Sequence, residues 1–522
     1  MEAAREVELK LRLPAAAARD VLRASALRTV QAGRPQRQRL LALYFDTPDA
    51  ALAHAGIALR LRKEGRQWMQ TIKGPAESGS GAGIASRLEF EWNRGGAALP
   101  PPIDAGQWNA TPWRPLLTSA AQRGLAARFA TDYLRTTIPV ELPDGTRASL
   151  CIDQGEVRDG KGNATPISEL EVELDSGRVD ALYRFAQALA ADLPLQVESR
   201  SKAERGYSLL HESRRTPARA EHAQLDAKDS AVAALQSLLR ACLRQIGDNA
   251  DGAHNEDDPE WIHQLRVGTR RLRACLALLR DVVPEEARAT AAADAQWLAR
   301  ALGPARDLDV LVTETLPAVR KWLRDARDSA ALRALTRFAG RAAAARREAR
   351  AAARVAIASP RFTRLLLATG TLAATPYLGA AENTPARRVL AGRASAFARP
   401  WLARRHRKLL RRARHLAKAS IDERHAVRLA AKRLRYATEF FAGVFEQGST
   451  RDYRQALTRL QDALGAQMDM QVAARLAFAI EGDGSEAARV LQEYITEHER
   501  EHRARMLRRW RSFRKCRPFF ED

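Results

Sequence analysis

The chain has 522 residues, enough for two or more domains with sizeable cores. Its formal net charge of +24 is uneven, because residues 1–210 carry 28 basic and 25 acidic side chains whereas the remainder carries 58 and 37. A second half that basic predicts a polyanionic partner, namely nucleic acid, an acidic membrane or polyphosphate.

The four cysteines, Cys151, Cys242, Cys275 and Cys516, are scattered and form no CxxC pair. This spacing argues against a disulfide framework and a zinc ribbon, and it favours a reducing compartment. The N-terminus is charged from Glu2 onward and lacks the apolar core of a signal peptide, and no apolar run approaches the length of a membrane span. We therefore expect a soluble, cytoplasmic protein.

Residues 1–210 show the period-two alternation of β-strands. Two helices are expected at 15–25 and 178–192, and the loop 74–83 joins two strands. That loop is not a dinucleotide fingerprint, because no helix follows it. The predicted strands are 5–13, 39–46, 57–63, 67–73, 86–92, 131–140, 147–154, 168–174 and 195–199.

Charged residues recur on one face of these strands. In the first strand, Glu6, Glu8, Lys10 and Arg12 alternate with valine and leucines. Such faces could be the solvated outside of a sandwich. The alternative is a closed barrel whose lumen collects the charges. A lumen that holds many cations and carboxylates suits a phosphate chain with divalent metals, since Arg and Lys bind phosphate oxygens and carboxylates bind Mg²⁺ or Mn²⁺.

From residue 218 onward the spacing becomes helical, and the stretch 211–224 is the expected linker. This half contains an internal repeat, because IHQLRVGTRRLR (262–273) matches RHAVRLAAKRLR (424–435) at a constant offset of 162 residues. Each copy separates a basic stripe from an apolar one. Residues 261–280 contain no acidic side chain, nor do residues 424–438. We therefore expect the stripes to be a polyanion-binding surface, with a merely solvated face as the alternative.

Two further motifs are interpreted as structural. HEREH (498–502) matches the HExxH zinc pattern, but it lies in a highly charged helix without a third ligand or an apolar cleft. The tail 503–520 interleaves bases and aromatic residues and could suit an acidic membrane or nucleic acid. We expect it to be the last helix of the bundle.

The first half resembles the CYTH superfamily, the triphosphate tunnel metalloenzymes. The resemblance covers essentially all of residues 1–210 and rests on several ordered motifs. They are EVELK (6–10), YFDT (44–47), LRLRK (59–63), the strand that ends at Lys73, RLEFE (87–91), Arg135, LCIDQGEV (150–157), ELEVEL (169–174) and SKAERGY (201–207).

The resemblance implies metal-assisted hydrolysis of a terminal phosphoanhydride, with Mg²⁺ or Mn²⁺ as cofactor. Catalytic roles are implied for Glu6, Glu8, Lys10, Lys73 and Glu171. Phosphate contacts are implied for Lys10, Arg60, Arg62, Lys73, Arg87, Arg135, Lys202 and Arg205. Metal ligation is implied for Glu6, Glu8, Asp153, Glu169 and Glu171, while the number of metals and the general base stay open.

The second half resembles the CHAD domain, a helical scaffold that binds inorganic polyphosphate through basic faces. The polyphosphate surface would consist of His263, Arg266, Arg270, Arg273, His425, Arg428, Lys432 and Arg435. Arg271 and Arg433 would lie beside it. The copies differ at LGPARDLDV (302–310) and LGAQMDMQV (464–472), so their contributions need not be equal.

Together these features predict an α+β protein. An N-terminal antiparallel β-barrel or tunnel (1–210) would be followed by the linker and by a C-terminal all-α domain of two related helical bundles (225–518). The order resembles that of bacterial inorganic triphosphatases with a CYTH and then a CHAD domain. Inorganic tripolyphosphate is the first choice of substrate and long-chain polyphosphate the expected partner, with granule association as a further expectation and no specific nucleic acid.

The alternatives are a polyphosphate-binding protein with an inactive tunnel, a nucleoside triphosphatase and a thiamine triphosphatase. Nucleic-acid binding would rest on charge alone. No dedicated aromatic cage for a base stands out, although Tyr44, Trp68 and Trp92 are candidates. The sequence does not predict the oligomeric state.

Overall fold

The computed structural model describes residues 4–77, 81, 83–210, 216–221, 223–482 and 485–521, without the side chains of residues 447, 449, 466, 467 and 469. Parts of the predicted loop 74–83 and of the predicted linker 211–224 lie outside the described residues. The chain divides into two compact units. The first contains residues 1–216 and 360–375, and the second contains residues 217–359 and 376–522.

The first unit is built around nine described strands. They are β1 (Ala4–Arg12), β2 (Gln36–Asp46), β3 (Ala58–Glu64), β4 (Gln67–Lys73), β5 (Ile84–Asn93), β6 (Ala126–Glu141), β7 (Arg147–Asp159), β8 (Ala164–Ser176) and β9 (Gln196–Val197). The antiparallel order is β5-β4-β3-β2-β6-β7-β8-β1, and β1 also pairs with β5. This last pairing closes eight strands into a barrel, while the short β9 pairs with the end of β1.

Alternation along each strand decides which side chains face outward. Leu9 and Leu11 of β1, and Leu59 and Leu61 of β3, are fully buried under covering elements or neighbouring loops. Glu8, which directly precedes Leu9, is only 3% exposed although it faces the opposite way. The charged faces are therefore enclosed, which confirms the predicted barrel and overturns the solvated-sandwich alternative.

Five helices alternate with or follow these strands along the chain: α1 (Ser25–Arg28), α2 (Ala51–His54), α3 (Arg114–Gln122), α4 (Val179–Asp192) and α5 (Lys202–Leu210). The prediction for 178–192 is confirmed. The single helix predicted at 15–25 is wrong, because this stretch forms two 3-10 turns, Ala15–Arg19 and Val21–Arg23. The extended backbone of Ala24 ends the second turn before α1, and the break lets Val21 and Leu27 both be fully buried.

The remaining described helices are α6 (Ala231–Asn255), α7 (Pro259–Leu278), α8 (Glu285–Ala301), α9 (Gly303–Val310), α10 (Leu316–Asp325), α11 (Ser329–Ala358), α12 (Pro360–Ala374), α13 (Pro385–Ala391), α14 (Ala394–Arg412), α15 (Ile421–Phe441), α16 (Gln447–Glu481) and α17 (Glu486–Arg514). A π-helical turn, Leu311–Thr315, joins α9 to α10. None of the helices in the described part of the chain has both the length and the apolar composition for crossing a membrane.

The two sequence repeats form α7 and α15. Their predicted apolar stripes are buried, since Leu265, Leu272 and Leu434 are fully inaccessible. An aspartate caps the N-terminus of α7, and a reciprocal capping box of Ser420 and Glu423 starts α15. Both repeats thus use an apolar face for packing, which leaves the basic stripe on other faces of the same helices.

One helix departs from the domain limits expected from the sequence. Although α12 lies between the two repeats, residues 360–375 belong to the first unit. Its Leu367 is fully buried in the same hydrophobic cluster as Leu182, Leu189 and Leu195. The chain therefore leaves the second unit after residue 359 and re-enters it at residue 376.

Candidate functional site

The barrel encloses a cavity of about 420 Å³. Its wall is mostly charged, and the described residues on it include seven cations and six carboxylates. They are Lys10, Arg60, Arg62, Lys73, Arg87, Arg135 and Lys202, with Glu6, Glu8, Glu89, Glu91, Glu171 and Glu173. Because the two signs nearly balance, a bound polyanion would need accompanying cations to keep the buried charge balanced.

Strand register brings residues that are far apart in sequence together in the lumen. β1 pairs with β8 so that Lys10 lies opposite Glu171 and Glu8 lies opposite Glu173. On the next strands Arg135 lies opposite Asp153, which in turn lies opposite Glu169. A one-residue slip of any of these pairs would turn the charges out of the lumen.

Two trios of carboxylates stand out. Glu6, Glu8 and Glu173 form one trio, and Asp153, Glu169 and Glu171 form the other. Each trio has one oxygen per residue within 4.8 Å of the others. Asp153, Glu169 and Glu171 are at most 3% exposed. The structure thus places all five sequence-predicted metal ligands in these trios and adds Glu173.

Cations compensate the second trio. Lys202 Nζ lies 2.7 Å from Asp153 Oδ2 and 3.0 Å from Glu171 Oε1, and it also contacts Glu169. Arg135 pairs with Asp153 at 2.7 Å and also contacts Glu171. Arg205, which is 6% exposed, contacts Glu169 from helix α5. Lys202 and Arg205 thus bring two cations from α5 to the second trio.

These contacts shift proton affinities. Burial alone would raise the pKa of Glu171, but Lys202, Arg135 and Lys10 hold it well below its usual range. The pKa of Glu173 is raised instead, because burial and the neighbouring carboxylates, Glu171 among them, outweigh Arg135. Glu173 is therefore the lumen carboxylate that holds a proton more tightly than a free glutamate does.

Across the lumen the cations are less well paired. Lys73 Nζ bonds Glu6 at 2.6 Å and lies 3.4 Å from Glu89. Within the described residues, however, the buried atoms Arg60 Nε, Arg60 Nη2 and Arg87 Nε have no hydrogen-bond partner. Unsatisfied buried guanidinium donors are costly, so these side chains are suited to an anionic ligand with several oxygens.

Two tyrosines line the lumen, namely Tyr44, already a candidate for an aromatic cage, and Tyr133, which the sequence analysis did not indicate. Tyr133 is 3% exposed, and its ring lies 5.0 Å from Lys202 Nζ. Tyr44 stacks on Phe129 with ring centroids 4.6 Å apart. Burial would raise the pKa of Tyr44, but Arg60 and other cations lower it. Tyr133 lies two residues before Arg135 on β6, and this same-face spacing could have indicated it.

The donor set fits a divalent metal. Mg²⁺ and Mn²⁺ prefer carboxylate oxygens, and both trios offer oxygen ligands only. In the structure the ammonium group of Lys202 lies among the carboxylates of the second trio. A metal there would share those oxygens with Lys202 and Arg135.

The second unit contains a different charged cavity, a groove of about 1040 Å³. Of its described lining residues, eleven are basic and one, Asp281, is acidic. The basic residues are Arg270, Arg273, Arg280, Arg288, Arg404, Arg405, Arg407, Lys408, Arg411, Lys432 and Arg433. We refer to this feature as the basic groove.

The predicted stripe residues divide between the basic groove and the surrounding contacts. Arg270, Arg273 and Lys432 line the groove. Arg266 instead donates to Gly303 O at 3.0 Å and to Asp307 at 2.8 Å, and Arg435 bonds Gln461 and Glu439. His263, His425 and Arg428 are also not among the groove-lining residues.

Like charges crowd this region. Burial and the neighbouring Arg266, Arg435 and Arg428 lower the pKa of Arg270, which shows that cations of both repeats lie near it. Burial and the cations around His263, Arg306 first among them, lower its pKa to about 4. His263 is therefore neutral at pH 7 and adds no charge there. Arg271, expected beside the surface, is 3% exposed and bonds Gln245 at 2.8 Å, so that expectation is wrong.

The sequence analysis missed the α14 side of the groove. Arg405 lies over Trp401, with its guanidinium carbon 4.2 Å from the ring centroid. Burial and other cations, Arg433 first, lower the pKa of Arg405. The dense basic run RRHRKLLRR (404–412) was the available signal. Its spacing places residues 404, 408 and 411 along one helix face.

Comparison with known proteins finds two domains in succession along the chain. The CYTH domain model matches residues 4–207, and the CHAD domain model matches residues 237–477. An inorganic triphosphatase from Haemophilus influenzae is 34% identical over 166 residues, which are 32% of this chain and 44% of that protein. The matched region thus spans less than half of that relative.

Two solved structures are similar to parts of the chain. The CHAD domain from the plant Ricinus communis has 32% identity, covers 58% of this chain and 98% of its own, and has a TM-score of 0.49. An inorganic triphosphatase has 17% identity, covers 40% of this chain and 95% of its own, and has a TM-score of 0.16. From the two domain matches, the chain belongs to the proteins that carry a CYTH domain followed by a CHAD domain.

Proposed function

We propose that the barrel lumen hydrolyses the terminal phosphoanhydride of inorganic tripolyphosphate with a divalent cation, Mg²⁺ or Mn²⁺. One observation carries the proposal: the lumen combines unsatisfied guanidinium donors on Arg60 and Arg87 with two carboxylate trios. The first feature suits a chain of phosphates and the second suits the metal that accompanies it. The triphosphatase activity named for the Haemophilus relative supports the same substrate class.

The residues would divide the work by position. Arg60, Arg62, Arg87 and Lys73 would bind the phosphate oxygens from β3, β4 and β5. The two trios would hold the metal, which when bound neutralises phosphate charge and lowers the pKa of a coordinated water. Lys10 and Arg135, each bonded to a trio carboxylate, would orient the carboxylates and contact the reacting phosphate.

The test is phosphate release from tripolyphosphate by the full chain, with and without Mg²⁺ or Mn²⁺. Nucleoside triphosphates and thiamine triphosphate serve as competing substrates. We expect metal-dependent release, fastest with tripolyphosphate. Absence of release from every substrate would favour the alternative of a binding protein with an inactive tunnel.

We also propose that the basic groove binds long-chain polyphosphate, which would associate the protein with polyphosphate granules in the cytoplasm. The support is the mutual repulsion of eleven cations beside one carboxylate, which a polyanion would relieve. Binding should weaken steeply as salt rises, because it releases counterions, an argument taken from DNA. Calorimetric titration with polyphosphate and with duplex DNA at matched phosphate concentration tests it, and tighter binding of DNA would contradict it.

A further inference from the structure

Helix α12 is an unusual component of the first unit. The polypeptide that forms it lies between the two helical repeats, 150 residues beyond the last barrel helix as counted from Leu210 to Pro360. Nevertheless its residues 360–375 cluster with the barrel. The question is what this helix does for the lumen.

Its packing is specific. Leu367 is fully buried among barrel-unit residues, and Gln187 Nε2 of α4 donates to Thr371 Oγ1 at 2.7 Å. Gly370 lies so close to α4 that a Cβ atom at this position would be 2.2 Å from the Tyr183 ring. Any larger residue at 370 would therefore push the two helices apart.

One contact leads toward the lumen. Thr363 Oγ1 donates to the backbone oxygen of Leu195 at 2.8 Å, and both residues are buried. Leu195 directly precedes β9, whose Val197 pairs with Leu11 of β1. The next residue, Glu198, donates its backbone N–H to Lys10 O at 3.1 Å.

From there the chain enters the site within four residues. Ser201 caps α5 by accepting from the Glu204 backbone N–H at 3.1 Å, and α5 carries Lys202 and Arg205. These two cations contact all three carboxylates of the Asp153 trio. Thr363 is thus connected to the second trio through Leu195 and the next seven residues of the chain, which begin with β9 and end at Lys202.

We propose that α12 is a positioning element of the lumen, and that Thr363 acts as a positioning residue for Lys202 and Arg205. The site is then complete only when this segment from between the helical repeats is docked on α4 and β9. The inference rests on the proposed hydrolysis in the lumen, which it deepens by adding a distant structural requirement.

The first test compares Thr363→Val with Thr369→Val in the full chain. Thr369 is a matched control, because it is buried in the same helix but its hydroxyl donates only to Leu365 O of its own turn. Thr363→Val leaves the Leu195 oxygen without its donor, and we expect amide exchange at Glu198 to rise about fivefold or more. Thr369→Val and the hydroxyl-retaining Thr363→Ser should leave it unchanged.

A kinetic measurement separates positioning from simple loss of folded protein. A smaller folded fraction would lower kcat alone. Loosened Lys202 and Arg205 would also lower the Mg²⁺ concentration for half-maximal rate, because they compete with the metal for the trio. The KM for tripolyphosphate, set by Arg60 and Arg87 on other strands, should stay within about twofold. An unchanged Mg²⁺ dependence in Thr363→Val would overturn the proposal.

A second pair of variants displaces the helix more strongly. Gly370→Leu should change both the Glu198 amide exchange and the Mg²⁺ dependence more strongly than Thr363→Val does. Gly340→Leu is the control and should change neither, because nothing lies within 4 Å of a Cβ atom added at that position. If Gly370→Leu fails to fold, Thr363→Val still decides. Hydrogen exchange reports the docking of α12 without any substrate. Unchanged exchange at the Glu198 amide in both variants would therefore refute the positioning role. If exchange rises but no variant and no wild-type protein hydrolyses tripolyphosphate, the proposed activity is refuted instead.

Discussion

Removal of the buried cation Lys202 should destabilise the barrel in a way that metal repairs. Lys202 is 6% exposed and contacts Asp153, Glu169 and Glu171. Lys202→Met would leave these carboxylates with Arg135, Arg205 and Lys10 as their nearby partners. Removing one partner from a buried ion pair costs about 3–5 kcal/mol, and the lower value applies here because three cations remain.

A loss of about 3 kcal/mol corresponds to a change of about 100-fold in the unfolding equilibrium. The assay is amide exchange of the slowest β7 and β8 amides in the full chain, which reports unfolding of the barrel alone. In metal-free buffer these amides should exchange about 100-fold faster in Lys202→Met than in wild type. Lys161→Met, on the exposed turn between the same strands, is the control and should change nothing.

Added Mg²⁺ should restore protection in Lys202→Met more than it increases protection in wild type. The reason is that the metal competes with Lys202 for the trio in wild type but not in the variant. If Lys202→Met is as protected as wild type without metal, or if Mg²⁺ protects both equally, the assignment of the Asp153 trio to metal is refuted.

Further predictions concern the lumen and the basic groove. Glu8→Ala should abolish metal-dependent hydrolysis yet keep the barrel folded, as circular dichroism and phosphate release would show; wild-type turnover at saturating Mg²⁺ would contradict this. The pKa of Glu173 is raised above the usual 4.5 of a glutamate, and a proton on Glu173 competes with the metal for this carboxylate. As the pH is lowered, the rate of hydrolysis at limiting Mg²⁺ should therefore begin to fall at a pH above 4.5. Excess Mg²⁺ should shift that fall to lower pH, and a pH–rate profile insensitive to Mg²⁺ would refute the competition. In the groove, Arg405→Ala with Arg433→Ala should weaken polyphosphate binding about tenfold or more at low salt and reduce its salt dependence. The control Arg489→Ala, on an exposed pair with Glu493, should bind as wild type does in the same titration.

Period-two alternation predicted the strands because each has one apolar and one charged face. In β1 the pattern put Glu8 and Lys10 on the same face but left open whether that face is solvated or enclosed, and closure of the barrel decides that it is buried. The 3-10 turns at 15–23 were not predictable in this way. Alanine and arginine there favour a helix, and the burial of Val21 and Leu27 overrides that preference.

Long-range contacts explain what the sequence analysis missed. The pairing of α7 with α15 followed from the repeat, but nothing in the repeat indicated that α14 lines the same groove through Arg405 and Lys408. Likewise, α12 carries apolar residues on most of its circumference, among them Leu365, Leu366 and Leu367, and this predicts burial without naming the surface that buries it.

Because residues 360–375 belong to the barrel unit, the barrel cannot be completed early in protein synthesis. The ribosome finishes α5 at residue 210, but it must add 165 more residues before residue 375 completes the segment that covers Leu195. At typical rates of 5–20 residues per second this takes roughly 8–33 s. During that interval the nascent barrel exposes the apolar surface that Leu367 later covers, so its last folding step must wait for about half of the second unit to be translated.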